Sequence, residues 1–180
     1  MKVLVVIDMQ NDFIDGSLGT PEAQAIVPNV KKKIDEAVVN GDWIYFTYDT
    51  HYDNYLETRE GKKLPVKHCV EGTDGWRIPS ELIPYGYNKF KRLYKGTFGC
   101  YNLPRMLFKL AAGEDDTITE VELVGLCTDI CVVSNTLLLK SYFYDTAEIS
   151  VDATCCAGVT PETHEAALKT MEMCQINVKR

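Results

Sequence analysis

Gly125-Leu126-Cys127-Thr128-Asp129-Ile130-Cys131-Val132 is the stretch around which the rest of the chain is arranged. The apolar run before it (Val121, Leu123, Val124) has the composition of a buried strand, and apolar residues recur from Val132 to Tyr142. The stretch therefore reads as a strand-to-helix turn with Cys131 in the first turn of the helix. Unpaired N–H groups and the positive end of the helix dipole favour a thiolate there and can hold an oxyanion formed on its substrate. Cys131 is thus a candidate nucleophile. The competing reading is that Cys127 and Cys131 simply pack in a core, where free cysteines are common.

Outward from this turn, strands and helices alternate. Val3 to Ile7 is a β-branched-rich run ending at Asp8, and Trp43 to Tyr48 is a second ending at Asp49. A helix is predicted between them over Val27 to Val39, stopped by Asn40-Gly41. From Thr50 to Pro84 periodicity is lost and Gly and Pro accumulate, the pattern of a long functional loop with at most short helices. A third strand is expected at Tyr87 to Leu93, leading to Tyr94-Lys95-Gly96, and a helix at Leu103 to Ala111. Strand Ala147 to Val151, helix Pro161 to Met173 and a short strand Gln175 to Val178 complete the pattern.

This order predicts one α/β domain over residues 1–180, a three-layer α/β/α sandwich with a doubly wound, mainly parallel sheet of about six strands. Such sheets bind ligands at the carboxyl ends of their strands. Asp8, Asp49, Lys95, Cys131 and Asp152 all follow predicted strand ends, so distant parts of the chain deliver reactive groups to one edge.

The chain has 180 residues, 19 basic and 26 acidic, for a net charge of −7. No basic block is present, which argues against nucleic acid and anionic membranes and toward a small-molecule substrate. Seven cysteines, an odd count, and a start that runs directly into a strand point to a reduced, cytoplasmic protein. No apolar stretch approaches the roughly twenty residues that span a bilayer.

Each candidate has a functional and a plainer reading. Asp8 suits a general base for Cys131 or a turn cap. Lys95 suits a charge partner for a buried carboxylate or a solvated loop lysine. Asp49, His51 and His68 form an oxygen and nitrogen ligand set for zinc, iron or manganese, with Glu60 as a further ligand, or make ordinary hydrogen bonds. Cys127 and Cys131 lack the Cys-x-x-Cys spacing of redox pairs. Cys155 and Cys156 are expected to line or underlie the site, and His164, between glutamates of a terminal helix, is expected at the surface. Phe13, Trp76, Tyr101 and Phe98 are aromatics on which a flat substrate ring could stack, or which pack the long loop.

Taken together, Asp8-Met9-Gln10-Asn11-Asp12-Phe13, Asp49-Thr50-His51, His68-Cys69-Val70-Glu71-Gly72-Thr73, Lys95-Gly96 and Gly125 to Val132 resemble the isochorismatase-like cysteine hydrolases, and within them the nicotinamidase and pyrazinamidase branch. The resemblance implies a catalytic triad at Asp8, Lys95 and Cys131 and one divalent metal ion, zinc first, on Asp49, His51 and His68. It also implies a cis peptide at Leu126-Cys127, with the N–H groups of Cys127 and Cys131 as oxyanion hole, and assembly into homo-oligomers. Cysteine at 131 implies an amide hydrolase rather than a vinyl-ether hydrolase. Nicotinamide is the implied substrate; the alternatives are a ureido or carbamoyl compound, or a non-catalytic metal-binding relative. Where the branch often holds an aromatic residue shortly before the metal histidine, this chain has Leu64-Pro65-Val66-Lys67.

Overall fold

The computed structural model describes residues 1–180. Six parallel strands form one sheet in the order β3-β2-β1-β4-β5-β6. They are β1 (Lys2–Ile7), β2 (Trp43–Asp49), β3 (Phe90–Lys95), β4 (Glu120–Leu126), β5 (Glu148–Ala157) and β6 (Asn177–Lys179). The helices are the short α1 (Asn11–Ile14), then α2 (Pro21–Asn40), α3 (Leu103–Gly113), α4 (Val133–Tyr142) and α5 (Pro161–Met173). This is the three-layer, doubly wound architecture that the alternating pattern predicts. No helix is long and apolar enough to cross a membrane.

Alternate residues of the central strands feed two cores. Leu4, Val6, Ile44 and Phe46 pack on α2 through Ala23, Ile26, Val30 and Ile34. On the other face, Val3, Val5, Val121 and Leu123 pack with Leu103 and Leu107 of α3, Leu139 of α4 and Leu168 of α5. Strand order reverses between β1 and β4, so the carboxyl ends of these two neighbours flank the switch-point crevice where parallel sheets bind ligands.

Several boundaries differ from expectation. β3 starts at Phe90 and ends at Lys95, because it is an edge strand whose Lys91, Arg92 and Tyr94 face solvent and so lacks an apolar run. α2 starts six residues before the predicted position, with Thr20 Oγ1 accepting the Ala23 N–H at 3.0 Å and Pro21 at its first position. β5 runs on to Ala157 through an irregularity in which Asp152 Oδ1 accepts from Thr154 N and Oγ1. Asp152 is therefore not at the ligand edge: its other oxygen pairs with Lys33 of α2 at 2.7 Å. The long loop carries two short 3₁₀ turns, Tyr55–Glu57 and Ser80–Leu82.

Gly125 lies where β4 passes tightly against Ile7 of β1. Its φ is +117°, and a Cβ there would overlap the Ile7 carbonyl oxygen. Gly125→Ala should destabilise the fold by roughly 2–4 kcal/mol in urea titration, combining backbone strain with the clash. A change below about 0.5 kcal/mol would contradict this account of the close approach.

Candidate active site

The last residues of β3 and β2, and the residue after β1, bring three charged groups together in the interior. Lys95 Nζ lies 2.6 Å from Asp8 Oδ2, 3.5 Å from Asp49 Oδ1 and 3.5 Å from Cys131 Sγ. All four residues are buried. Asp8 takes a left-handed backbone conformation (φ +45°), which aspartate tolerates better than most residues, as the chain turns off β1. Its backbone N–H donates to Thr47 Oγ1 (3.1 Å), and the Thr47 hydroxyl donates to Asp8 Oδ1 (2.6 Å). Oδ2 faces the Lys95 ammonium at 2.6 Å and has no other polar partner.

Burial pushes the Asp8 carboxyl above its ordinary range, outweighing the opposing Lys95 charge and the Thr47 hydrogen bond. For Lys95, burial works against the charge, but Asp8, Cys131 and Asp49 raise its pKa and keep it an ammonium. Burial and the neighbouring Asp8 hold the Cys131 thiol well above normal. Burial and Asp8 thus favour the thiol, against the thiolate that a helix N-terminus favours. Cys131 sits in one turn of π-helix, Thr128–Val132, that leads into α4 and follows a cis Leu126–Cys127 peptide. Asp8 and Cys131 share the Lys95 ammonium, which places the carboxyl to accept the thiol proton on substrate binding.

A second cluster adjoins the first through Asp49. One ligand atom from each of Asp49, His51, Glu60 and His68 lies within 4.8 Å of every other. Asp49 Oδ2 is 3.0 Å from His51 Nε2 and 3.5 Å from His68 Nε2. The Val66 carbonyl accepts from His68 Nδ1 at 2.8 Å, which leaves the Nε2 lone pair facing the cluster. Glu60 Oε1 is buried with no hydrogen-bond partner. A buried, orphaned carboxylate oxygen facing two imidazoles and a second carboxylate fits a divalent cation of the zinc, iron or manganese type. Tyr55 packs its ring on both histidines, with centroids 4.6 and 4.9 Å away.

Residues of both clusters line one cavity of about 240 Å³, in which Asp49, Glu60, His68, Cys127 and Cys131 join the apolar Phe13, Leu18, Leu64, Phe98, Ile130 and Val159. Two expected ring-binding residues lie elsewhere. The Trp76 indole donates to Thr50 Oγ1 (3.0 Å) and stacks on Tyr94, and Tyr101 is 78% exposed outside the cavity. The other two aromatics named for this role, Phe13 and Phe98, line the cavity wall.

Other residues also fall outside expectation. Cys155 and Cys156 pack into opposite cores and do not line the cavity. His164 is half-buried, with Nδ1 2.8 Å from Thr128 Oγ1 on the reactive turn, and burial lowers its pKa. Buried Gln10, which sequence shows only as a member of the Asp8–Phe13 motif, has a defined role: its amide donates to the carbonyls of Asp49 (2.9 Å) and Trp76 (2.8 Å) and accepts the Asp49 N–H (2.7 Å). Thr47 and Asn135 were missed as well. Only the Asp8-Met9-Gln10 adjacency hinted at any of them.

Comparison with known proteins agrees with this geometry. The nicotinamidase/pyrazinamidase of Mycobacterium tuberculosis is 27% identical over 197 residues, covering 99% of this chain and 98% of that protein. The crystal structure of nicotinamidase PncA from Bacillus subtilis superposes with a TM-score of 0.82 at 26% identity, covering 99% of both chains. Pyrazinamidase of Pyrococcus horikoshii in complex with zinc gives 0.81 at 26% identity, covering 99% of this chain and 98% of that one. The family model described as the isochorismatase domain matches residues 2–179, and the chain belongs to that family.

Proposed function

We propose that this isochorismatase-family hydrolase of amide C–N bonds is a nicotinamidase, converting nicotinamide and water to nicotinate and ammonia. The carrying observation is Lys95 Nζ lying between Asp8, Asp49 and Cys131, because it joins a proton-transfer pair to a cation-binding cluster in one cavity. Asp8 accepts the Cys131 proton as the sulfur attacks the amide carbonyl. The N–H groups of Cys127 and Cys131 hold the resulting oxyanion. As the C–N bond breaks, Asp8 returns the proton to the departing nitrogen, leaving a thioester on Cys131. Asp8 then takes a proton from water, whose oxygen attacks the thioester; the acid leaves and the thiol is restored.

Asp49, His51, Glu60 and His68 would hold the cation, zinc being the first choice, which when bound supplies a Lewis-acid site that orients the substrate's ring nitrogen directly or through water. Phe13, whose ring lies 5.5 Å from that of His68, and Phe98 offer apolar surface to the ring. Of the ureido and carbamoyl alternatives, those bearing a carboxylate are disfavoured, since no lysine or arginine is among the cavity-lining residues to receive it.

Ammonia release from nicotinamide by the metal-loaded protein tests the reading. Cys131→Ala should reduce it by at least about a thousandfold with the fold intact, while Cys127→Ala, which keeps the backbone donor, should stay within about tenfold. Equal losses in the two folded variants would reopen a role for the cysteine pair. Failure to release ammonia from any amide in a panel would favour the non-catalytic relative.

Chelation provides an independent check, because the cation is assigned to substrate orientation. Removing it should raise KM for nicotinamide and abolish one equivalent of bound metal, yet leave Cys131 open to alkylation and the fold intact. Unfolding on chelation would make the site structural instead.

A further inference from the structure

Three consecutive side chains of α4 turn back onto the reactive turn. Ser134 Oγ donates to Ile130 O (2.6 Å), Asn135 Nδ2 to Cys131 O (2.8 Å) and Thr136 Oγ1 to Val132 O (2.7 Å). Such bonds to carbonyls four residues earlier serve a widened π turn whose backbone ladder is offset. Asn135 alone also reaches another element. Its second Nδ2 hydrogen goes to Phe98 O (3.1 Å), and its Oδ1 accepts from Cys100 N (2.8 Å). The side chain is fully buried, and turning the amide over would set its oxygen against two carbonyls.

The loop that Asn135 grips runs from Gly96 to Cys100, directly after Lys95, and carries Phe98 to the cavity wall. It lies tightly on α4: a Cβ on Gly99 would stand 3.0 Å from Leu138 Cδ1 and 3.2 Å from Ser134 Cβ. Phe98 itself is 47% exposed, so packing alone does not hold it in place. We infer that Asn135 is a positioning residue that fixes Cys131 and the Phe98 wall relative to each other, setting nucleophile geometry and acyl-group fit through one amide. This rests on the amidase reading of the cavity. A displacement of about 1 Å between the sulfur and the wall that locates the substrate is enough to lose a near-attack geometry.

The test is a double-mutant cycle with Asn135→Ala and Phe98→Ala. Measured are kcat and KM for ammonia release from nicotinamide, and the rate of Cys131 alkylation by iodoacetamide, a reagent too small to need the acyl wall. Asn135→Ala should raise KM and lower kcat by about tenfold each and slow alkylation. The double variant should have a KM no worse than the poorer single variant, because Asn135 acts on binding through Phe98. Asn135→Asp should be at least as impaired, since it aims an acceptor at Cys131 O and Phe98 O. Asn135→Ser takes the place of Asn135→Ala if the latter does not fold. A lower urea midpoint with wild-type kcat, KM and alkylation rate would overturn the inference, as would additive effects on KM. If no amide is turned over, the nicotinamidase reading fails separately and alkylation decides: a wild-type rate in folded Asn135→Ala overturns the positioning role, and a slowed rate supports it.

Discussion

The site depends on a buried ion pair, Lys95 with Asp8, whose side chains are 1% and 0% exposed. Taking an ammonium and a carboxylate out of water costs several kcal/mol for each ion, so the pair persists only if its remaining valences are filled. Thr47 fills one side of Asp8, while Asp49 and Cys131 surround the other side of Lys95. Sheet order makes this possible. β3, β2, β1 and β4 are consecutive neighbours, and their carboxyl ends present Lys95, Asp49, Asp8 and the turn leading to Cys131 side by side. Each residue is separated by tens of positions in the chain but by one strand spacing in the sheet.

The same ion pair joins two kinds of chemistry. Asp49 contributes one oxygen toward Lys95 and the other toward the two imidazoles, and Gln10 clamps its backbone from both sides. Asp49, His51, Glu60 and His68 would hold a cation beside the Lys95–Asp8 pair, with Asp49 shared by both groups. The arrangement suits the proposed division in which Asp8 and Cys131 exchange a proton and a bound cation would orient the substrate. Passing the proton from the Cys131 thiol to the Asp8 carboxylate exchanges one buried anion for another beside the Lys95 ammonium, so the net buried charge does not change.

Sequence showed these features where a side chain's direction followed from its element. Asp8 and Asp49 end continuous apolar runs, and a strand buried on both faces has no other composition available, so their place at the sheet edge was legible. Polar edge strand β3 and the Asp152–Thr154 irregularity in β5 had no such run, and both boundaries were misjudged. Trp76, Tyr101 and Phe98 lie in loops without periodicity, so which ring faces the cavity was set by contacts that only the fold defines. Thr47 and Asn135 were invisible for another reason. Each acts through partners more than thirty residues away, and its own neighbours read as ordinary strand and helix. His164 was assigned to the surface by its flanking glutamates, although the first turn of α5 abuts Thr128.

If Lys95 tunes proton exchange between Asp8 and Cys131, the pH profile of Cys131 alkylation by iodoacetamide, followed by peptide mass spectrometry in wild type and Lys95→Met, reports it most directly. Burial already raises the Asp8 pKa, and Lys95 opposes that rise. Removing the ammonium while keeping the stem's bulk should lift the pKa of Asp8 further, and that of Cys131 with it, because Lys95 lowers both. The basic form of each group exists only above its pKa, so the reactive limb should move to higher pH by more than about one unit. Coincident profiles in the two folded proteins would contradict the account and remove Lys95 from the catalytic set.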